Sequence, residues 1–141
     1  MSSDELTLAA DAAHALREAQ ALCYRTNCAI VAPEHLLAAC LLQLRAAGLE
    51  GLPEPAAVQQ ALVATQGLGE DPLDRDVIFG SAAREAISRA AAAARAAGST
   101  TITCADLAFA LVESGECSPM FFASLGVPRA ALLELLRAPG A

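Results

Sequence analysis

When the sequence is aligned with itself so that Leu16 corresponds to Ile87, apolar positions of the two segments coincide. The correspondence continues without a gap from Leu8 to the middle of the second helix. We call this shift the repeat offset; it also places Leu36 on Leu107. In each copy apolar residues recur every three or four positions, which is the spacing of one face of a helix. Two half-units that each have a single apolar face can bury those faces against one another. The repeat therefore predicts one pseudo-twofold helical domain over residues 1–141 rather than two independent domains.

Residues that end and start helices occupy matching places in the two copies. Asn27 and Gly98 fall where the first helix of each copy ends, and these residue types best adopt the left-handed conformation found there. The second helix of the first copy is predicted to start at Pro33. In the second copy Thr103 can cap the helix, with Asp106 three residues on as a variant of the capping box.

Shorter helices are expected to close each copy. Ser118-Pro119 has the residue types of a cap and a first helical position, Gly126 those of a stop, and Pro128 those of another start. Leu52-Pro53 is the counterpart of that last start in the first copy. The prediction is an all-α fold of two repeats that each close with shorter helices. Repeat one spans about 6–66, an acidic connector about 67–78, and repeat two about 79–138.

Composition favours the same fold class. Hydrophobic residues make up 55% of the chain, and about a quarter of all residues are alanine. Alanine is the best helix former, and its small side chain lets helices approach closely. Valine, isoleucine, threonine and aromatic residues are too sparse for much sheet.

The charge of the chain argues against several classes of function. A net charge of −7 disfavours nonspecific binding to nucleic acid or to an anionic membrane. All nine basic residues are arginine, so a Walker-type phosphate-binding loop, which needs lysine, is excluded. No apolar run approaches the roughly 20 residues of a membrane span, and the acidic start differs from a signal peptide. We expect a cytoplasmic protein that is not an enzyme and binds no cofactor or metal.

The five cysteines are irregularly spaced, which does not suggest a disulfide framework. Buried thiols in a reducing compartment are expected instead. Cys117, in a polar loop before a helix start, is predicted to be the most exposed thiol. A zinc site could be drawn from Cys23, Cys28, His35 and His14, although the paired-ligand spacing of zinc sites is missing. Local spacing also places no serine or cysteine as a nucleophile beside His35.

Several stretches that carry the repeat also carry a resemblance to a known family. They are VAPEHLLAACL (31–41), ITCADLAFAL (102–111) and FFASLGVPRAALLELL (121–136). Together they resemble the N-terminal domain of Clp unfoldases, the Clp-N or Clp repeat domain of ClpA, ClpB and ClpC. The likeness covers essentially the whole chain; the first stretch is fairly specific, whereas the second copy is recognised mainly by its register.

The resemblance implies an all-α domain of two four-helix repeats, about eight helices in all. Such a domain binds substrates or adaptor proteins and passes them to an ATPase ring. The ATPase modules that normally follow do not occur in this sequence. The chain then corresponds to an excised domain, or to a free-standing Clp-N protein that stabilises or regulates a Clp protease core. A third alternative is the N domain of the unfoldase that recycles type VI secretion sheaths, where an extra N-terminal helix meets a sheath peptide. Residues 1–7 look too short for that helix.

The partners implied by the resemblance are adaptor or client polypeptides and a Clp ATPase ring or protease core. Neither nucleic acid nor a membrane is expected as a partner, and the isolated domain is expected to be monomeric.

Some ClpC-type domains also hold phosphoarginine, with the acid of a "TEH" motif and a threonine near the first helix. Glu34 matches that acid in the first copy, whereas Ala105 takes its place in the second. The threonine positions fall on Ala9 and Gly80, with Thr7 and Ser81 close by. The resemblance therefore implies one surviving site at most.

Glu34 and His35 are the leading candidates for a contact surface. Glu34 could accept an arginine or another basic group of an adaptor through a charge-assisted contact. The alternative is an acid that only complements the helix dipole. His35 could take part in acid–base chemistry, or could be a packed or capping histidine. Thr7, Ser81 and Asp106 complete the candidate partner-binding set.

Two other stretches have alternative interpretations. Met120, Phe121 and Phe122 either line a groove between the repeats or belong to the core. The acids between Glu70 and Asp76 either attract a basic partner or form a solvated connector.

Overall fold

The structure, a computed structural model, describes residues 6–67, 69 and 76–137. This part of the chain forms seven helices and four strands of two residues each. The helices are α1 (Ala10–Arg25), α2 (Pro33–Ala46), α3 (Pro55–Gln66), α4 (Ser81–Ala96), α5 (Cys104–Ser114), α6 (Pro119–Leu125) and α7 (Arg129–Arg137). The strands are β1 (Thr7–Leu8), β2 (Ile30–Val31), β3 (Ile78–Phe79) and β4 (Thr101–Ile102). The predicted all-α fold class is confirmed.

The short strands join the two copies of the repeat. β1 pairs in parallel with β4, with Thr7 opposite Thr101, and β2 pairs in parallel with β3, with Ile30 opposite Ile78. The repeat offset places Thr7 on Ile78 and Ile30 on Thr101, so it exchanges the two ladders. Each ladder therefore contains one strand from each copy, as a pseudo-twofold axis between the copies requires.

Helix boundaries follow the repeat offset. It places the first and last residues of α1 on those of α4, and the first residue of α2 on that of α5. Asn27 and Gly98, which lie just past α1 and α4, have left-handed φ values of 55° and 77°. Both were predicted as helix stops, and both are confirmed.

Helix α2 lies at the centre of the molecule. Every residue from 33 to 41 is buried, although Glu34 and His35 are polar. α2 packs against α1, α3 and its counterpart α5, while α4 and α7 pack on α5. α3 reaches across to α6, so the first copy also contacts the closing helices of the second.

The first copy closes with fewer helices than predicted. It has three helices, because residues 47–54 form a turn where the second copy has α6. Gly48 and Gly51 have φ values of 106° and 90° in this turn, which are incompatible with a helix. Helix α3 begins at Pro55, just after the predicted start at Leu52-Pro53, whereas α7 begins directly after Pro128 as predicted.

The connector predicted at about 67–78 lies mostly outside the described residues. Where it is described, it contacts the end of α1: Gly69 N–H donates to Thr26 O at 2.8 Å, and Asn27 Nδ2 donates to Gly69 O at 3.1 Å. Residue 78 of the predicted connector belongs to strand β3. The division into repeat one, connector and repeat two stays a prediction.

Within the described residues no single helix is long and apolar enough to cross a membrane. Only α6 and α7 taken together meet the requirements of length and composition, and a bend of 76° separates them.

Candidate functional site

The start of α2 is held by His35. Ala32 N–H donates to His35 Nδ1 at 3.0 Å. Alanine has no side-chain acceptor, so only this reciprocal half of a capping box is made. His35 is 1% exposed, and its Nε2 has no hydrogen-bond partner in the described part of the chain. Burial lowers the pKa of His35 to about 4, so the imidazole is neutral at pH 7 and, with Nδ1 accepting, carries its proton on Nε2.

Glu34 holds the start of a different helix. Its side chain is buried, and Oε2 accepts a hydrogen bond from Ser118 N–H at 2.7 Å. Ser118 is the N-cap of α6, and its own hydroxyl accepts from Phe121 N–H at 3.3 Å. The carboxylate of the first copy thus completes a helix start in the second copy. Contact of Glu34 or His35 with a partner stays a prediction, and both side chains are buried in this structure.

Asp106 occupies in the second copy the position of His35 in the first. Its Oδ2 accepts from Thr103 N–H at 2.9 Å, and Thr103 Oγ1 accepts from Asp106 N–H at 3.2 Å. The predicted capping box is confirmed. Asp106 also borders a cavity of about 380 Å³ between α4, α5 and α7, where the Arg137 guanidinium lies 5.6 Å from the centre of the Phe109 ring.

Thr7 and Ser81 are exposed, and they belong to different ladders. Thr7 lies in β1, which pairs with β4, whereas Ser81 is the first residue of α4 and follows β3. The repeat offset does not relate these two positions. The five predicted residues are therefore spread over several helix starts and one strand, with Glu34 and His35 adjacent on α2.

A larger cavity lies between the end of α5 and the turn from α6 to α7. We call it the α5–α7 cavity. Its volume is about 600 Å³. It is lined mainly by apolar residues: Gly115, Cys117, Pro119, Phe122, Ala123, Gly126, Val127, Pro128 and Arg129. Several of these are exposed, so the cavity opens to solvent.

Arg129 shapes the rim of the α5–α7 cavity. Its Nε donates to Val112 O and its Nη2 to Glu113 O, both at 2.8 Å. These carbonyls end α5, so the guanidinium satisfies acceptors that the helix leaves unpaired and complements the negative end of its dipole. The arginine is held in place by the fold itself.

The sequence indicated only part of this cavity. Among the aromatic stretch proposed as groove or core, Phe122 lines the cavity, Phe121 is fully buried in the core, and Met120 is 59% exposed. The stronger signal is the pair Gly115 and Gly126, which both adopt left-handed φ values of 77° and bracket α6. Because α5 ends just before Gly115 and α6 ends just before Gly126, α6 is a short helix.

The prediction that Cys117 is the most exposed thiol is wrong. Cys117 is 4% exposed, and the next residue, Ser118, donates its backbone N–H to Glu34. Burial, followed by the carboxylates of Glu34 and Glu116, raises the pKa of the Cys117 thiol far above its usual value. Burial, with a contribution from Cys28, raises the pKa of Cys23 to about 12.

All five cysteines are free, and all but Cys28 are buried, as predicted for most of them. No group of three or more histidine, cysteine, aspartate or glutamate side chains in residues 6–67, 69 and 76–137 is placed to hold a metal ion.

A scan against protein-family models and a search of curated proteins find no match to this sequence. Solved structures do match. The N-terminal domain of the caseinolytic protease-associated chaperone ClpD from Arabidopsis thaliana superposes with a TM-score of 0.74 at 14% identity, covering 92% of each chain. A structure from work on a malarial protein secretion system superposes with a TM-score of 0.70 at 16% identity, covering 93% of this chain and 92% of that one. The N-terminal domain of Hsp104 from Candida albicans superposes with a TM-score of 0.67 at 16% identity, covering 95% of this chain and 90% of that one. The chain therefore has the fold of Clp N-terminal domains.

Proposed function

We propose that the chain is a non-catalytic recognition module of a Clp-type ATP-dependent unfoldase system, which captures client or adaptor polypeptides. The fold shared with the N-terminal domains of ClpD and Hsp104 supports this role. A captured polypeptide gains a high effective concentration near the ATPase ring to which the module is joined or recruited. We place the protein in the cytoplasm, where its free thiols would stay reduced.

The α5–α7 cavity is the observation that carries the proposal. Binding pockets are concave, mostly apolar and fitted with a few polar groups that fix orientation, and this cavity has those properties. Phe122 and Val127 offer an apolar wall for a client side chain. Arg129 at the rim can bond a backbone carbonyl or a carboxylate of the same client. Thr7 and Ser81, both exposed, remain proposed as further contact positions.

A substitution that fills the cavity tests this proposal. Ala123 is exposed on α6 and lines the cavity, so Ala123→Arg places a long charged side chain across it without disturbing the core. We expect the affinity for a permanently unfolded probe, reduced and carboxymethylated lactalbumin, to fall at least about tenfold, since apolar burial is lost. Fluorescence anisotropy with the labelled probe measures the change.

The matched control is Ala92→Arg, which adds the same side chain at an exposed position of α4 that does not line the cavity. This variant should bind the probe like the wild type. Equal affinity of the Ala123 variant and the control would exclude the cavity as the binding site. A wild-type chain that does not bind unfolded protein but binds a Clp protease core would instead support the alternative, a protein that stabilises or regulates that core.

A further inference from the structure

Three large side chains are exposed at the β2–β3 ladder: Ile30 and Ile78 belong to its strands, and Tyr24 lies near the end of α1. Tyr24 is 46% exposed, Ile30 53% and Ile78 61%. Ile30 and Ile78 are paired in register, so their side chains lie next to each other on one face of the ladder. The Tyr24 hydroxyl accepts a hydrogen bond from Val77 N–H at 3.2 Å, which places the ring beside the start of β3. We call these three residues the ladder patch.

The position of Ile30 depends on a glycine. A Cβ built at Gly80 would lie 2.8 Å from Ile30 Cγ2, closer than carbon atoms approach each other. Val31 is fully buried and Phe79 is packed against the core, so the alternation of the strands directs Ile30 and Ile78 outward. The backbone therefore presents the two isoleucines to solvent rather than burying them.

The other ladder shows that the fold does not require apolar residues there. Under the repeat offset, Thr7 corresponds to Ile78, Thr101 to Ile30 and Arg95 to Tyr24. The β1–β4 ladder has the same parallel register as the β2–β3 ladder. Packing and strand pairing are thus achieved equally with threonines at these positions. The apolar residues of the ladder patch need another explanation.

An acidic residue adjoins the ladder patch. Asp76 is exposed just before β3, and the chain as a whole has a net charge of −7. On the α1 side, Arg25 is paired with Glu18 at 2.8 Å, so its charge is already compensated. An occupant with basic side chains beside apolar ones would complement both the surface and its charge.

The size of the patch indicates what kind of occupant fits. Three half-exposed side chains offer far less than the roughly 800 Å² per partner that a stable protein–protein interface buries. This favours a short segment over a second copy of the chain.

We propose that the ladder patch docks a short extended polypeptide segment in which apolar side chains alternate with basic ones. The patch shares no residue with the α5–α7 cavity, so the inference goes beyond the proposed function and does not depend on it. Apolar side chains of the segment would pack on Ile30, Ile78 and the Tyr24 ring, and its basic side chains would face Asp76.

The other ladder supplies the test variant. Ile30→Thr combined with Ile78→Thr copies the residues that the second ladder already carries, so the fold should be retained. The probe is a fluorescein-labelled short peptide in which arginines alternate with leucine and isoleucine, titrated by anisotropy. We expect the double variant to bind it at least about tenfold more weakly than the wild type. Asp76→Arg, which leaves the strands untouched, should also weaken binding.

Two controls locate the effect. Thr101→Ile changes the opposite ladder and should bind the peptide no more weakly than the wild type. Ala123→Arg, which fills the α5–α7 cavity, should leave peptide binding unchanged, and this separates the two sites.

Three results would overturn the proposal. One is equal affinity of the threonine double variant and the wild type. Another is equally tight binding of a peptide in which glutamates replace the arginines. The third is sedimentation that shows a wild-type dimer lost in the threonine variant, which would make a second copy the occupant.

Discussion

His35 and Asp106 make the same contact with different chemistry. Each lies at the third position of its helix and accepts a hydrogen bond from the N–H of the residue before the helix, at 3.0 and 2.9 Å. Asp106 does so at the half-buried rim of a cavity, whereas His35 does so in the core. The buried position thus holds an acceptor that is uncharged at neutral pH.

We expect stability to depend on the protonation of His35. Burial lowers its pKa from 6.5 to about 4, so between these values the unfolded chain binds a proton that the folded chain does not. The free energy of unfolding should therefore fall as the pH drops from about 6.5 to about 4, by at most about 3 kcal/mol from this group. Urea titrations of the wild type and His35→Gln at several pH values measure this contribution as the difference in their slopes.

The exposed His14 provides the control, because His14→Gln should keep the steep profile of the wild type. Parallel profiles for the wild type and His35→Gln would contradict the role assigned to His35.

Helix starts in this molecule are completed partly by residues of other helices. Glu34 of α2 accepts from Ser118 at the start of α6, and Asp11 of α1 accepts from Cys104 N–H at the start of α5, at 3.1 Å. Both carboxylates belong to the first copy and both helices to the second. These contacts fix the angle between the copies in addition to apolar packing.

Glu34→Ala should destabilise the fold by about 1–3 kcal/mol, because it leaves the Ser118 N–H without its charged acceptor. Glu18→Ala removes the partner of Arg25 in a surface ion pair and should cost less than about 1 kcal/mol. Chemical denaturation of both variants at pH 7 compares the two losses. Similar losses would show that the Glu34 contact contributes no more than a surface pair.

Local signals predicted the helix ends correctly, whereas contacts between distant residues could not be predicted from them. Asn27, Gly98 and the Thr103–Asp106 capping box act within one turn, so the sequence pattern is sufficient. The contact of Glu34 with Ser118 spans 84 residues, and the neighbouring Cys117 is buried. The short turn at 47–54, which leaves the first copy without a counterpart of α6, likewise became visible only in the structure.

At the scale of the molecule, the two copies form one packed unit through α2 and α5. The core residues Leu36, Leu37, Leu107 and Leu111 come from both helices and are at most 1% exposed. If one copy unfolds, the central helix of the other copy loses the partner that covers its apolar surface.

We expect the two copies to unfold in one cooperative transition. Cys23 and Cys40 report on the first copy and Cys104 and Cys117 on the second, and all four are buried. In a urea titration with a thiol reagent, these thiols should become reactive together with the loss of helical circular dichroism. Cys28→Ser removes the partly exposed thiol and its early reaction. Exposure of one pair of thiols before the other would show that the copies unfold independently.

The ladders also determine when the fold can be completed during synthesis. Thr7 cannot pair until Thr101 has been synthesised, near the middle of the second copy, and Ile30 cannot pair until Ile78 has been synthesised. At the usual translation rates of about 5–20 residues per second, strand β1 stays without its partner for roughly 5–20 seconds. During that time the newly made first copy exposes the apolar surface of α2 that α5 later covers. A protein that we propose to capture polypeptides is therefore, while it is being made, a polypeptide of the kind that it would capture.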